Sequence, residues 1–140
     1  MGVLGTQVKD AHHAFTRTLT STSQLTARRR IEAALKMEGF FVLTEIDVQA
    51  MIKSRLQLEL QPYILLGVVK PSLVHQLIMT DPAGGLMAPH TISITQDEAG
   101  DAVLSILDPV ALLTSYQDPQ RFASPIDEAR LRLQRALAYA

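Results

Sequence analysis

Cysteine and tryptophan are both absent from the 140 residues of this chain. Without thiols there can be no disulfide, thiolate nucleophile, iron–sulfur cluster or cysteine-ligated zinc site. Aromatic residues make up only 5% of the sequence, too few for stacking platforms on single-stranded nucleic acid. A dominant charge is missing as well. The formal net charge is -1, so no global field gathers nucleic acid or anionic lipid. No apolar run approaches the roughly 18 residues needed to cross a bilayer. Residues 1–6 have neither a charged start nor a long apolar centre, so no secretory leader is expected. Met1-Gly2 followed by Thr6 formally matches a myristoylation start, a match that small residues after Met produce readily. The expectation is a soluble cytoplasmic protein with no cofactor, no bound metal, and neither nucleic acid nor membrane as a partner.

What is present points to a globular domain. Hydrophobic residues are 47% and charged residues 19%, a balance that supports a buried core and excludes disorder for the bulk of the chain. A single domain over 1–140 is expected, with 1–12 frayed. The most apolar stretch is Tyr63-Ile64-Leu65-Leu66-Gly67-Val68-Val69, set between Pro62 and Lys70-Pro71. An unbroken run of that length predicts a central strand buried on both faces.

Around it the periodicities alternate. Residues 13–19 read as a first strand. Thr22 or Ser23 then caps a helix over 24–38 whose apolar side is Ala27, Ile31, Ala34 and Leu35. Glu32 and Lys36 fall at i,i+4, and Gly39 suits the left-handed position after the helix, with Phe40 folding back. Residues 40–46 read as a second strand. Asp47 caps a short amphipathic helix carrying Val48, Met51, Ile52 and Leu56. Pro71 opens a helix with Leu73, Val74, Leu77 and Ile78 on one side. Residues 82–85 read as a flexible turn, and 114–123 as a polar loop. Strands at 91–95 and 102–107 flank a turn in which Gly100 supplies the positive φ, a hairpin. Asp108-Pro109 caps a short turn. Ser124-Pro125 opens a last helix with Ile126, Ala129, Leu133 and Leu137 inside. The early strand–helix alternation would also suit a parallel α/β sheet. The short second helix and the hairpin favour an α+β domain instead. It has one mixed, mostly antiparallel sheet of about five strands, with helices packed against it.

The punctuation of the chain carries a resemblance. Ala34-Leu35, Gly39-Phe40, Leu43-Thr44-Glu45-Ile46-Asp47-Val48, Pro62-Tyr63, Leu66-Gly67, Pro71, Asp81-Pro82, Gly85-Leu86, Pro89 and Asp108-Pro109 occur in that order. Over roughly residues 16–113 the chain resembles the domain of unknown function family numbered 302. The resemblance implies a compact α+β fold similar in topology to a TATA-binding-protein repeat, often dimeric. It does not imply DNA binding, because folds are shared by unrelated functions. Many members of that family carry a Cys-Asn pair before the proline equivalent to Pro71, and a Cys after the one equivalent to Pro89. Here Val69-Lys70 and His90 stand in those places, so no thiol chemistry carries over.

Candidate chemistry is sparse. His75 and His90 would need to converge, with Asp81 or Asp97, to form a metal or acid–base site. His12-His13 is a weaker metal candidate. Glu45, Asp47 and Glu59 would need to meet for a carboxylate pair, and Asp47 is explained by capping. Arg28-Arg29-Arg30 spreads around its helix at about 100° per residue and makes no single patch. No phosphate loop or nucleophile elbow is present. No catalytic residue is assigned. The best candidate is a ligand-binding groove formed by Lys70, His75, Gly84, Gly85, Met87 and His90, at the two ends of the central strand–helix unit and the following loop. The function expected is a small binding or accessory module, homodimeric, with a small molecule as its other partner. The alternatives are an enzyme using His90, His75 and Lys70, and a carrier of a small apolar ligand in an internal cavity.

Overall fold

The computed structural model describes residues 9–10 and 13–140. Six strands form one sheet: β1 (Lys9–Asp10), β2 (Ala14–Leu19), β3 (Phe41–Asp47), β4 (Tyr63–Val69), β5 (His90–Gln96) and β6 (Ala102–Leu107). Their spatial order is β1-β2-β6-β5-β4-β3, and every pairing is antiparallel. The helices are α1 (Gln24–Met37), α2 (Val48–Leu56), α3 (Pro71–Thr80), α4 (Val110–Leu113) and α5 (Ala123–Tyr139). This is the α+β architecture expected, in wholly antiparallel form. The added strand β1 lies in the stretch expected to fray; the rest of residues 1–12 lies outside the described residues.

Period-2 alternation sets the two sides of the sheet. Phe15 and Leu19 of β2, Leu66 and Val68 of β4, Ile92 and Ile94 of β5, and Leu104 and Ile106 of β6 point to one side. There they pack with Ala27, Ile31 and Leu35 of α1 and with Leu133, Ala136 and Leu137 of α5. Leu77, Met87, Phe122 and Ile126 form a second, smaller core.

The ends of α1 follow their sequence signals. The Ser23 side chain accepts from Thr26 N. At the other end Gly39 has φ +87°, with Gly39 N donating to Lys36 O and Phe40 N to Leu35 O, both at 3.0 Å. These two bonds satisfy carbonyls that the helix leaves open, and they turn Phe40 into the core. Arg17, only 8% exposed, does the same for α5. Its Nη1 donates to the carbonyls of Leu137, Ala138 and Ala140 at 2.8, 2.8 and 3.0 Å, placing a cation at the negative end of the helix.

Several expectations need correction. β4 is not buried on both faces and is not the middle strand. It lies second from the β3 edge, with Leu66 and Val68 in the core and Tyr63 and Leu65 on the uncovered side. Apolar composition alone does not distinguish a doubly covered strand from one whose outer side chains await a partner. Glu32 pairs with Arg28 at 2.9 Å rather than with Lys36, and the same guanidinium meets Glu45 of β3 at 2.7 Å. Residues 82–85 belong to an ordered 3-10 helix, Pro82–Met87, capped by Asp81 accepting from Ala83 N. The polar loop contains a second such turn, Pro119–Phe122, whose Phe122 is buried. α5 therefore starts at Ala123, so Ser124 and Pro125 lie inside its first turn.

Candidate functional site

The six groove residues separate into three environments. Gly84 and Met87 are packing residues. Met87 belongs to the second core, and a Cβ on Gly84 would sit 2.3 Å from the Leu77 carbonyl oxygen and 2.9 Å from the Phe122 ring. Glycine there is a condition of close approach between α3 and the 3-10 helix. Gly85 faces Ile78, whose nearest atom would be 3.2 Å from an added Cβ. His75 is exposed on α3, and no hydrogen bond or ion pair joins it to Lys70 or His90.

Lys70 and His90 do share one end of the sheet. Lys70 closes β4 and precedes α3 without a side-chain cap bond. Its Nζ lies over Gly39, 2.8 Å from where a Cβ would be, so its ammonium stands beside the carbonyl end of α1. His90 opens β5 opposite Val68. It is buried, and its ring meets Phe40 edge-on with centroids 5.8 Å apart and planes at 80°. Burial lowers its pKa from 6.5 to about 4, so the imidazole is neutral at pH 7. Phe40 is the member of this cluster that the groove reading omitted. Its signal in the sequence is the Gly39-Phe40 pair, whose helix-ending turn carries the ring inward.

The other candidate constellations do not assemble. Asp81 caps the 3-10 helix and lies 3.8 Å from Arg121. Asp97 accepts from Asp101 N within the hairpin. Asp47 caps α2 through Ala50 N, Glu45 meets Arg28, and Glu59 meets Lys53. Among the described residues no group of three or more His, Cys, Asp or Glu could hold a metal ion. His12 lies outside the described residues. No helix of the described residues is long and apolar enough to cross a membrane.

A second surface emerges only from the fold. On the side of the sheet that the described residues leave uncovered, register aligns Thr16, Ser105, Ser93, Leu65 and Ile46 across five strands. Thr18, Val103, Thr95 and Tyr63 form the next row. The outward positions of β2 to β6 contain no Asp, Glu, Lys or Arg. Thr16 and Ser105 are hydrogen-bonded at 3.1 Å. A shallow depression of about 200 Å³ lies on this face, bordered by Tyr63, Leu65, Ser93 and Leu107 among others.

Beside that face runs an arm made of β3, α2 and the return segment 57–62. β3 is the sheet edge, bulged between Val42 and Thr44. No residue of α2 is buried. Leu43, Ile46, Met51 and Leu56 are 63%, 47%, 46% and 56% exposed, and Phe41, Leu58 and Leu60 are also open. The amphipathic stripe expected of α2 is thus not realised as a buried side: Val48 and Ile52 are half-buried, while Met51 and Leu56 are exposed.

The comparisons agree on a family. Residues 15–140 match the model of the family described as domain of unknown function DUF302. No curated protein matches the sequence. Among solved structures, an uncharacterized conserved DUF302 protein from Bacillus stearothermophilus superposes with a TM-score of 0.81 at 23% identity, covering 91% of this chain and 97% of that one. With the match spanning β2 through α5, the chain belongs to the DUF302 family.

Proposed function

We propose that the protein is a homodimeric binding module, with a topology like that of a TATA-binding-protein repeat, that acts through association rather than catalysis. One observation carries this: large apolar side chains are concentrated on the exposed arm from Phe41 to Leu60. Scattered exposed hydrophobics need no explanation, but a contiguous group of them marks an interaction site. The single-sided helical layer supports the topological comparison. The uncharged outer face offers no cations to phosphate, so the proposed partner is protein and not nucleic acid. Sedimentation equilibrium on the full chain tests the homodimer. A dimer at micromolar concentration is expected; a monomer at about 100 μM, weaker than a typical specific pair, would overturn it.

A second reading is favoured by the Lys70–Phe40–His90 cluster. A neutral imidazole and an ammonium at the same sheet end could contact a small ligand. Thermal-shift measurements with a metabolite panel, run on the parent, Lys70→Ala and His90→Ala, test it. A ligand that stabilises both variants as well as the parent would remove this site.

A further inference from the structure

We propose that the uncovered sheet face is the surface on which the second copy docks. Two such faces stack, and the β3–α2 arm of each copy closes over the other. This rests on the homodimer proposed above and specifies which surface makes it.

Three features select a second copy as the occupant. The first is charge. A two-fold interface sets one patch against a second copy of itself, which repels when that patch carries charge of one sign and is permitted when it carries none. The outward positions of β2 to β6 carry none, whereas a solvated antiparallel face ordinarily shows polar and charged side chains. The second is hydrogen-bonding chemistry. The middle row presents Thr16, Ser105 and Ser93. A hydroxyl both donates and accepts, so identical groups can pair across a symmetry axis. The third is area. Five strands about 4.8 Å apart and about 20 Å long give a plan of roughly 500 Å². A standard interface takes about 800 Å² of accessible surface from each partner. The face alone falls short, and the arm makes up the difference. The two are continuous, since Ile46 on β3 stands opposite Leu65 on β4. Sheets stacked in this way lie about 10 Å apart, which leaves room for one layer of interlocking side chains from each.

Ser93→Arg tests the surface, measured by sedimentation equilibrium on the full chain with circular dichroism as the folding control. It puts a cation from each copy into the stack, and the dimer dissociation constant is expected to rise about 100-fold or more, since like-charge contacts cost several kcal/mol. The wild-type chain supplies a second measurement that does not depend on a variant folding. Hydroxyl-radical footprinting of Tyr63 and Leu65 should show protection at dimer-forming concentration and none on dilution. A folded Ser93→Arg chain that dimerises as tightly as the parent would overturn the proposal. So would equal reactivity of Tyr63 and Leu65 at both concentrations. If Met51→Lys then dissociates the dimer, contact lies on the arm alone and the homodimer stands. A wild-type monomer removes both.

Discussion

On the helical side of the sheet, Phe15, Ile92, Leu104 and Ile106 are at most 1% exposed. On the other side, their immediate neighbours Thr16, Ser93, Val103 and Ser105 remain partly open. The same strands thus display two surfaces of different chemistry. One is aliphatic and filled by α1 and α5. The other is neutral, hydroxyl-bearing and uncovered. Among the described residues the buried polar side chains are Arg17, Thr22 and His90. The contrast shows that hydrophobic total and burial are separate properties. Apolar groups go where a layer covers them, and where the described residues supply no layer they remain at the surface.

Adjacent residues of β6 test the contrast most sharply. Leu104→Ala removes a fully buried side chain and should cost about 2–5 kcal/mol of unfolding free energy. Val103→Ala, one position away on the open face, should cost under about 1 kcal/mol at concentrations that keep the chain monomeric. Urea unfolding of both variants gives the comparison directly. Similar losses would mean that the open face is packed within one copy, and the distinction would collapse.

His90 gives the next effect. Its pKa is about 4 in the folded chain against 6.5 when solvated, because burial penalises the charged form. The unfolded chain therefore binds the extra proton first. Stability is complete above pH 6.5, declines as pH falls toward 4, and by then has lost about 3 kcal/mol from this group. Replacement by Phe should flatten that part of the pH–stability curve. An unchanged slope in His90→Phe would place the acid sensitivity elsewhere.

Arg17 follows. Arg17→Met keeps much of the aliphatic stem and removes three charge-assisted bonds to the end of α5. A loss of about 2 kcal/mol is expected, with the fastest new amide exchange in the last turn of α5. Lysine should rescue in part, since its ammonium offers three donors at one nitrogen, where Nη1 alone meets all three carbonyls here, but on a shorter stem.

Much of this arrangement was legible in the sequence, for identifiable reasons. The Ser23 cap, the Gly39 ending, the Asp47 cap and the Gly100 hairpin are local bargains between backbone and side chain, so residue order alone reveals them. The apolar sides of α1 and α5 follow from helical periodicity. The number of layers was less visible. Tyr63 to Val69 reads the same whether helices cover one face or two, and β4 was accordingly placed too centrally. The candidate groove failed to assemble as one site for a related reason. Gly84 and Met87 have the composition of a loop mouth, yet the Leu77 carbonyl of the preceding helix and Phe122, distant in sequence, turn them into packing. The open face could not be recognised at all before the register was known, because its rows draw single residues from five strands.

The smallest expected effect lies at the boundary between the two regions. β3 is the edge strand on this side of the sheet, and its inward position opposite Leu66 is Glu45, not an aliphatic residue. Arg28 of α1 reaches it at 2.7 Å while also holding Glu32 at 2.9 Å. The carboxylate is nearly half exposed, so water screens the pair, and Arg28 retains a partner when Glu45 is lost. A double-mutant cycle between Arg28→Met and Glu45→Gln should give a coupling of about 0.2–1 kcal/mol. It should shrink further as salt shortens the Debye length. A salt-independent coupling above about 2 kcal/mol would be characteristic of a buried pair. It would mean that the edge strand is held to the body as firmly as the core strands, leaving the arm less free to close over a second copy.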